Sequence, residues 1–191
     1  NYGIIGAMTP EEGTFLLQVA RSAIESHFQQ KKPLPPEVQS AALLEKRGAF
    51  VTLHKRKGEL RGCIGRLEPQ GPLVQTVSKM AIEAAFRDPR FSPLREEEWG
   101  EVSLEVSVLS DMRKIQDIRD IVVGRDGLLI QRGAASGLLL PQVATENRWT
   151  RELFLAYTCR KALLPEGAWR EAGTEIYTFT AEIFSEGSSH A

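Results

Sequence analysis

The sequence has 191 residues, of which 42% are hydrophobic, enough for one globular unit with a substantial core or two small cores around a shared sheet. Its 24 basic and 25 acidic residues leave a net charge of -1, so the broad positive field of non-specific nucleic-acid binders is missing. Two cysteines are too few for a disulfide framework, and no apolar run reaches the ~20 residues of a membrane helix; we expect a cytoplasmic protein.

Capping signals open the first predicted helix. Thr9 is an N-cap residue, Pro10 occupies the first helical position, and Glu12 lies three residues after the cap. We expect residues 9–185 to form one globular unit. Residues 1–8 are expected to be a foreign or upstream segment, and residues 186–191 a flexible tail.

The next segments alternate irregularly between helical and extended patterns. A short second helix is predicted over 36–44, and a third between Gly71-Pro72 and Asp88-Pro89. Residues 102–109 alternate polar and apolar side chains, which indicates a strand.

The second half of the chain adds four more predicted elements. They are a short helix over 115–121, a hairpin over 127–141, a helix capped by Thr150, and a closing strand over 175–184. Because helices and strands do not alternate regularly, the pattern favours an α+β fold with a largely antiparallel sheet flanked by helices.

The segments FVTLH (50–54) and LRGCIG (60–65) are predicted to pair as a hairpin. A two-residue turn at Lys57-Gly58 would pair Val51 with Ile64 and Thr52 with Cys63. One face would then be buried, and it would carry Val51, Leu53, Leu60 and Ile64. The other face would carry Phe50, Thr52, His54, Arg61 and Cys63.

The second face is a candidate site. Cys63 is a candidate nucleophile, and Arg61 a candidate group for binding substrate and favouring the thiolate. Gly62 and Gly65 would bare the backbone for a ligand. If the strand over 102–109 lies beside LRGCIG, Glu105 can pair with Arg61, and an anionic ligand could compete for the guanidinium. The alternative is a buried structural cysteine and a structural arginine.

Other polar residues have two interpretations each. Arg90 either projects towards a ligand or is held by Asp88, and His54 is either a base for Cys63 or a solvated residue at a strand end. Gln142, which follows Pro141 after an apolar segment, is a candidate ligand-binding group. Three histidines cannot assemble a histidine-rich metal site, so no metal and no cofactor are predicted.

Several blocks together resemble the AMMECR family, which is recognised by LRGCIG. The further blocks are AIEAAFRDPRFSPL (81–94), EVSLEVSVLS (101–110) and LLLPQVATENRWTRELFLAYTCRKALL (138–164). The resemblance implies an antiparallel sheet, a larger subdomain built from both chain ends, a smaller inserted α/β subdomain, and a cleft between the two near the motif. It also implies a Memo-type partner similar to extradiol dioxygenases and a neighbouring radical SAM protein, but no established reaction.

Three functions follow as hypotheses. The chain is an enzyme or enzyme subunit that binds a small polar or anionic metabolite at Arg61, Cys63, Glu105 and Arg90, or a non-catalytic module that presents substrate to the Memo-type partner. RNA binding is the third, and both the balanced charge and the lack of an aromatic stacking motif disfavour it.

Overall fold

The computed structural model describes residues 7–33, 37–38, 40–68 and 70–187. Its strands pair in antiparallel fashion and helices flank them, which confirms the predicted α+β class. The chain divides into two compact units. Unit 1 contains the residues up to Leu109 and those from Glu182 onward, and unit 2 contains 110–181. The cleft between two subdomains stays a prediction.

The helices and strands are numbered in chain order. The helices are α1 (Pro10–Phe28), α2 (Leu73–Phe86), α3 (Pro141–Glu146) and α4 (Arg151–Lys161). The strands are β1 (Ala49–His54), β2 (Leu60–Arg66), β3 (Ser103–Leu109), β4 (Arg113–Ile115), β5 (Asp126–Arg132), β6 (Ala135–Leu139) and β7 (Glu175–Ser185). None of the described helices combines the length and the apolar character needed to cross a membrane.

Helix α1 begins as predicted. The Thr9 hydroxyl accepts a hydrogen bond from the Glu12 amide at 3.2 Å, and the Glu12 carboxylate accepts one from the Thr9 amide at 2.8 Å. The predicted second helix is reduced to a 3-10 turn at Ala41–Leu44, and Pro36, its expected start, lies outside the described residues.

Unit 1 extends beyond both predicted boundaries. Met8, expected to lie outside the fold, is buried in the core, and its amide donates to Glu182. Glu186, expected in a flexible tail, pairs with Arg21 at 2.6 Å and donates its amide to the Leu104 carbonyl. The remainder of the two predicted terminal segments, apart from residues 7 and 187, lies outside the described residues.

The sheet of unit 1 has the order β2-β1-β3, and the end of β7 follows β3. Val51 pairs with Ile64 and Thr52 with Cys63, which confirms the predicted register. Val51 and Leu53 are fully buried, and Ile64 packs against the same core, beneath α1 and α2. Alternation then places Cys63 on the opposite face of the sheet, as predicted.

The turn of the hairpin differs from the predicted two-residue turn. Residues 55–59 connect the strands, and Arg61 is an extra residue between the pairs Leu53–Gly62 and His54–Leu60. This β-bulge compensates the odd-numbered loop, so the register beyond it is kept. Leu60, expected in the core, is instead 37% exposed, because it lies on the far side of the bulge.

Unit 2 is built around the hairpin of β5 and β6, with β7 on the other side of β5 and β4 paired to β7. Thr150 caps α4 as predicted, and Phe154, Leu155 and Cys159 of that helix are buried in a second core. The helix predicted over 115–121 is wrong: Ile115 ends β4, and only the 3-10 turn Ile118–Asp120 follows it.

Candidate functional site

One face of the unit 1 sheet carries a row of polar side chains from four strands. We call this the polar row: Cys63 on β2, Thr52 on β1, Glu105 on β3 and Ser185 on β7. Thr52 pairs with Cys63 on one side and with Glu105 on the other. The Thr52 hydroxyl donates to Cys63 Sγ at 3.2 Å, and the Ser185 hydroxyl donates to Glu105 Oε2 at 3.0 Å. The row is partly accessible, because Cys63, Glu105 and Ser185 are only half-buried.

Arg61 does not join the polar row. Its side chain is buried, and its guanidinium donates from Nε and Nη2 to the Glu98 carboxylate, both at 3.1 Å. It also donates to the carbonyls of Ser92 and Pro93, at 3.1 and 3.5 Å. The hydrogen bonds from Arg61 are the main reason why the pKa of Glu98 falls to about 2. Arg61 therefore holds the segment that follows α2.

The predicted pair of Arg61 and Glu105 is wrong for a topological reason. β3 pairs with β1 rather than with β2, so one strand separates LRGCIG from the strand that carries Glu105. Glu105 is left with Ser185 as its hydrogen-bond partner among the described residues, and no described lysine or arginine lies within 4.0 Å of it.

Asp88 and Arg90 clasp the outer edge of β2 at Cys63. The Asp88 carboxylate accepts the Cys63 amide at 2.9 Å, and Arg90 Nη2 donates to the Cys63 carbonyl at 3.2 Å. Arg90 also donates from Nε and Nη2 to both oxygens of Asp88, which lowers the pKa of Asp88 to about 2. Of the two interpretations of Arg90, its pairing with Asp88 is the one the contacts support.

The two motif glycines are covered rather than bare. A Cβ on Gly62 would lie 2.2 Å from the Ala84 carbonyl oxygen, so this glycine lets α2 approach the sheet. A Cβ on Gly65 would lie 2.1 Å from the Phe50 ring, which covers that glycine. The expectation that both expose backbone to a ligand is corrected accordingly.

The Cys63 thiol is held in its neutral form. Partial burial raises its pKa, and the carboxylates of Asp88 and Glu105 act in the same direction. The Thr52 hydrogen bond and the Arg90 guanidinium oppose this rise without cancelling it. Arg61, expected to favour the thiolate, is not among the groups that affect this pKa.

Two further candidates, His54 and Gln142, are not among the residues that define the polar row. His54 Nδ1 lies 3.3 Å from the Gly58 carbonyl in the hairpin turn, which supports its interpretation as a strand-end residue. Gln142 belongs to α3 of unit 2, and its Oε1 is buried without a partner among the described residues. Within the described part of the chain, no three His, Cys, Asp or Glu residues are grouped to hold a metal ion.

Sequence reasoning missed three residues of this region. Glu98, Ser185 and Ser107 were not singled out as site residues. Ser107 is fully buried on the same face as Glu105, and its hydroxyl has no partner among the described residues. The triple acidic run 96–98 was the available signal for Glu98; Ser185 had none.

This fold, with LRGCIG on an edge strand, is that of a known class of proteins. The chain belongs to the AMMECR1 family, whose model matches residues 17–184. Among its relatives, a protein of Thermococcus gammatolerans is 48% identical over 92% of this chain and 91% of that protein. Protein TK0174 of Thermococcus kodakarensis is 47% identical with the same coverage. The crystal structure of the uncharacterized protein PH0010 from Pyrococcus horikoshii superimposes with a TM-score of 0.89 at 44% identity, covering 94% of each chain.

Proposed function

We propose that the polar row binds a small polar molecule and that Cys63 takes part as a neutral thiol. The observation that carries this proposal is the row itself: a thiol, two hydroxyls and a carboxylate from four strands share one partly open face, while the opposite face of the same sheet is packed by helices. The outer face of an antiparallel sheet is ordinarily polar, but this face also buries the Ser107 hydroxyl, which has no partner among the described residues and which an ordinary solvated face would leave to water.

The geometry favours binding over nucleophilic catalysis. A cysteine nucleophile needs a lowered pKa or an adjacent base, and burial raises the pKa of Cys63 instead. Its hydrogen-bond partner, Thr52, is not a base at neutral pH. Glu105 lies two strands away, a backbone separation of roughly 10 Å. Without a ligand the row lacks the parts of a catalytic constellation, so we favour a binding or presenting module over an enzyme.

The preference for an anionic metabolite loses its basis. That preference depended on Arg61, and the Arg61 guanidinium is buried against Glu98 and two carbonyls. Arg90 is likewise engaged by Asp88. The proposed ligand is therefore polar, and it binds by donating hydrogen bonds to Glu105 and to the hydroxyls of the row.

The partners remain a proposal that rests on the family resemblance. We propose that the module works beside a Memo-type protein, with a radical SAM protein as a further candidate. A direct test mixes the purified proteins and measures complex formation by size-exclusion chromatography with light scattering. Complex formation supports the presenting module, and its absence at high micromolar concentration counts against it.

The ligand proposal is tested by mass spectrometry of the small molecules released from the untagged protein after gentle purification. We compare the wild type with Glu105→Gln and with Glu97→Gln, which changes an exposed carboxylate that has no described partner. A molecule released by the wild type and by Glu97→Gln, but depleted from Glu105→Gln, supports binding at the row. The same set of molecules from all three proteins would refute it.

A further inference from the structure

We infer that the group recognised by the polar row is a cation, an ammonium or a guanidinium, bound by the Glu105 carboxylate. This inference rests on the proposed function, since it names the class of ligand for the same site. Arg61 and Arg90 in the neighbouring motifs would by themselves indicate an anionic ligand, so their charges have to be accounted for first.

Both neighbouring arginines are already neutralised. Arg61 is buried and makes a two-pronged ion pair with Glu98. Arg90 makes a two-pronged ion pair with Asp88, which is itself buried. Only Nη1 of Arg90 lacks a partner among the described residues, and the Arg90 side chain is 53% exposed, so water screens what charge remains.

Among the described residues of this face, Glu105 is a charged side chain without an ion-pair partner. It is half-buried, and it accepts a hydrogen bond from the Ser185 hydroxyl without any described cation within 4.0 Å. An ionised carboxylate offers about four acceptor positions. A partly desolvated carboxylate is stabilised most by a charged donor, so the vacant acceptor positions of Glu105 favour an ammonium or a guanidinium.

Ser107 supplies an independent observation. It follows Glu105 by two residues on the same face of β3, about 7 Å away, and it is fully buried with no partner for its hydroxyl among the described residues. A buried hydroxyl without a partner is uncommon in native proteins and calls for an explanation. An ammonium has three donors and a guanidinium five, so one cation can satisfy Glu105 and also donate to Ser107.

Cys63 provides a reporter for this charge preference. Methanethiosulfonates with cationic aminoethyl, neutral methyl and anionic sulfonatoethyl groups differ in the charge that they bring to the row. In each case the Cys63 proton leaves to solvent, Sγ attacks the sulfenyl sulfur, an S–S bond forms, and methanesulfinate leaves. Dividing each rate by the same reagent's rate with free 2-mercaptoethanol removes the intrinsic reactivity of the reagent.

We expect the cationic reagent to modify Cys63 about three- to tenfold faster than the anionic one after this normalisation, with the neutral reagent between them. Glu105→Gln should abolish the preference, and the matched control Glu97→Gln should keep it. The comparison of reagents within the wild type needs no variant, so a variant that folds poorly does not remove the test. Peptide mapping scores Cys63 separately from Cys159, which is fully buried.

The contrary outcomes are distinct. In the first, all three reagents modify Cys63 at equal normalised rates, or the anionic reagent does so fastest. Either result shows that the row is accessible and contradicts the inference of a cationic ligand, while the proposed ligand-binding row stands. If no reagent modifies Cys63 in the folded protein, the row is closed, and both the proposed function and this inference fail. A cationic preference that survives Glu105→Gln also overturns the inference, because another group would then recognise the cation.

Discussion

Replacing Arg61 by glutamine should destabilise the fold strongly, because the structure makes this motif arginine structural. The change removes both prongs of the ion pair to Glu98 and the two donors to the Ser92 and Pro93 carbonyls. Removing one partner of a buried ion pair costs about 3–5 kcal/mol. The Glu98 side chain is 24% exposed, so water compensates part of that loss. We therefore expect the free energy of unfolding to fall by about 2–4 kcal/mol, somewhat less than for a fully buried pair.

The pH dependence gives a second estimate of the same interaction. The pKa of Glu98 falls from an ordinary value of 4.5 to about 2, chiefly because Arg61 donates to it. A depressed pKa stabilises the fold above the ordinary value, and the contribution is lost as pH falls from about 4.5 towards 2. A shift of this size corresponds to roughly 3 kcal/mol, part of which belongs to Arg95.

Urea unfolding of the wild type, Arg61→Gln and Arg61→Lys at pH 7 and pH 3 measures both effects. The lysine variant keeps the charge but not the fork, so it should lie between the other two. The gap between wild type and Arg61→Gln should be smaller at pH 3. A loss below about 1 kcal/mol at pH 7 would refute the structural role, since even one hydrogen bond to a charged group contributes more.

Three further changes test separate features of the fold. Leu163→Gly should stabilise the protein by about 0.5–1 kcal/mol, because this leucine has a left-handed φ of 60° and is 94% exposed. The control Leu163→Ala keeps the backbone strain, so its thermal midpoint should show no gain. Gly62→Ala should lower the free energy of unfolding by about 1–3 kcal/mol, because the alanine Cβ would lie 2.2 Å from the Ala84 carbonyl oxygen. Urea unfolding measures this loss, and an unchanged midpoint would show that α2 can move away. Asp88→Asn should speed hydrogen exchange of the Cys63 amide, which donates to that carboxylate at 2.9 Å, and an equal exchange rate would mean that the edge of β2 is protected by other contacts.

Local periodicity was enough to predict most elements and the pairing of β1 with β2. The alternation of Val51 with Leu53, matched to that of Ile64, fixes which residues face the core, and the structure has the same pairs. The bulge at Arg61 could not be read from this pattern. Leu60 and Ile64 have the same parity, so the sequence looks regular through a position where the strand is not.

The site was harder to predict because it depends on which strands are neighbours. Glu105 and Cys63 were both identified on the polar side of their strands, and both lie in the polar row. The partner of Arg61 was not predicted correctly, because β1 separates β2 from β3. The segment after α2 brings Glu98 to the guanidinium instead. Contacts between residues distant in sequence leave little trace in a single sequence.

The central claim, a polar row that binds a ligand with a neutral thiol, is tested most directly by the pH profile of Cys63 alkylation. Iodoacetamide is added to the folded wild type across a range of pH, and mass spectrometry follows the Cys63 and Cys159 peptides separately. Because burial raises the pKa of Cys63 above the ordinary 9.0, we predict a rate that still rises at pH 9 and that exceeds the rate of the fully buried Cys159 throughout. A rate that is already at its plateau near about pH 7 would reveal a stable thiolate and contradict the account in favour of a nucleophilic enzyme.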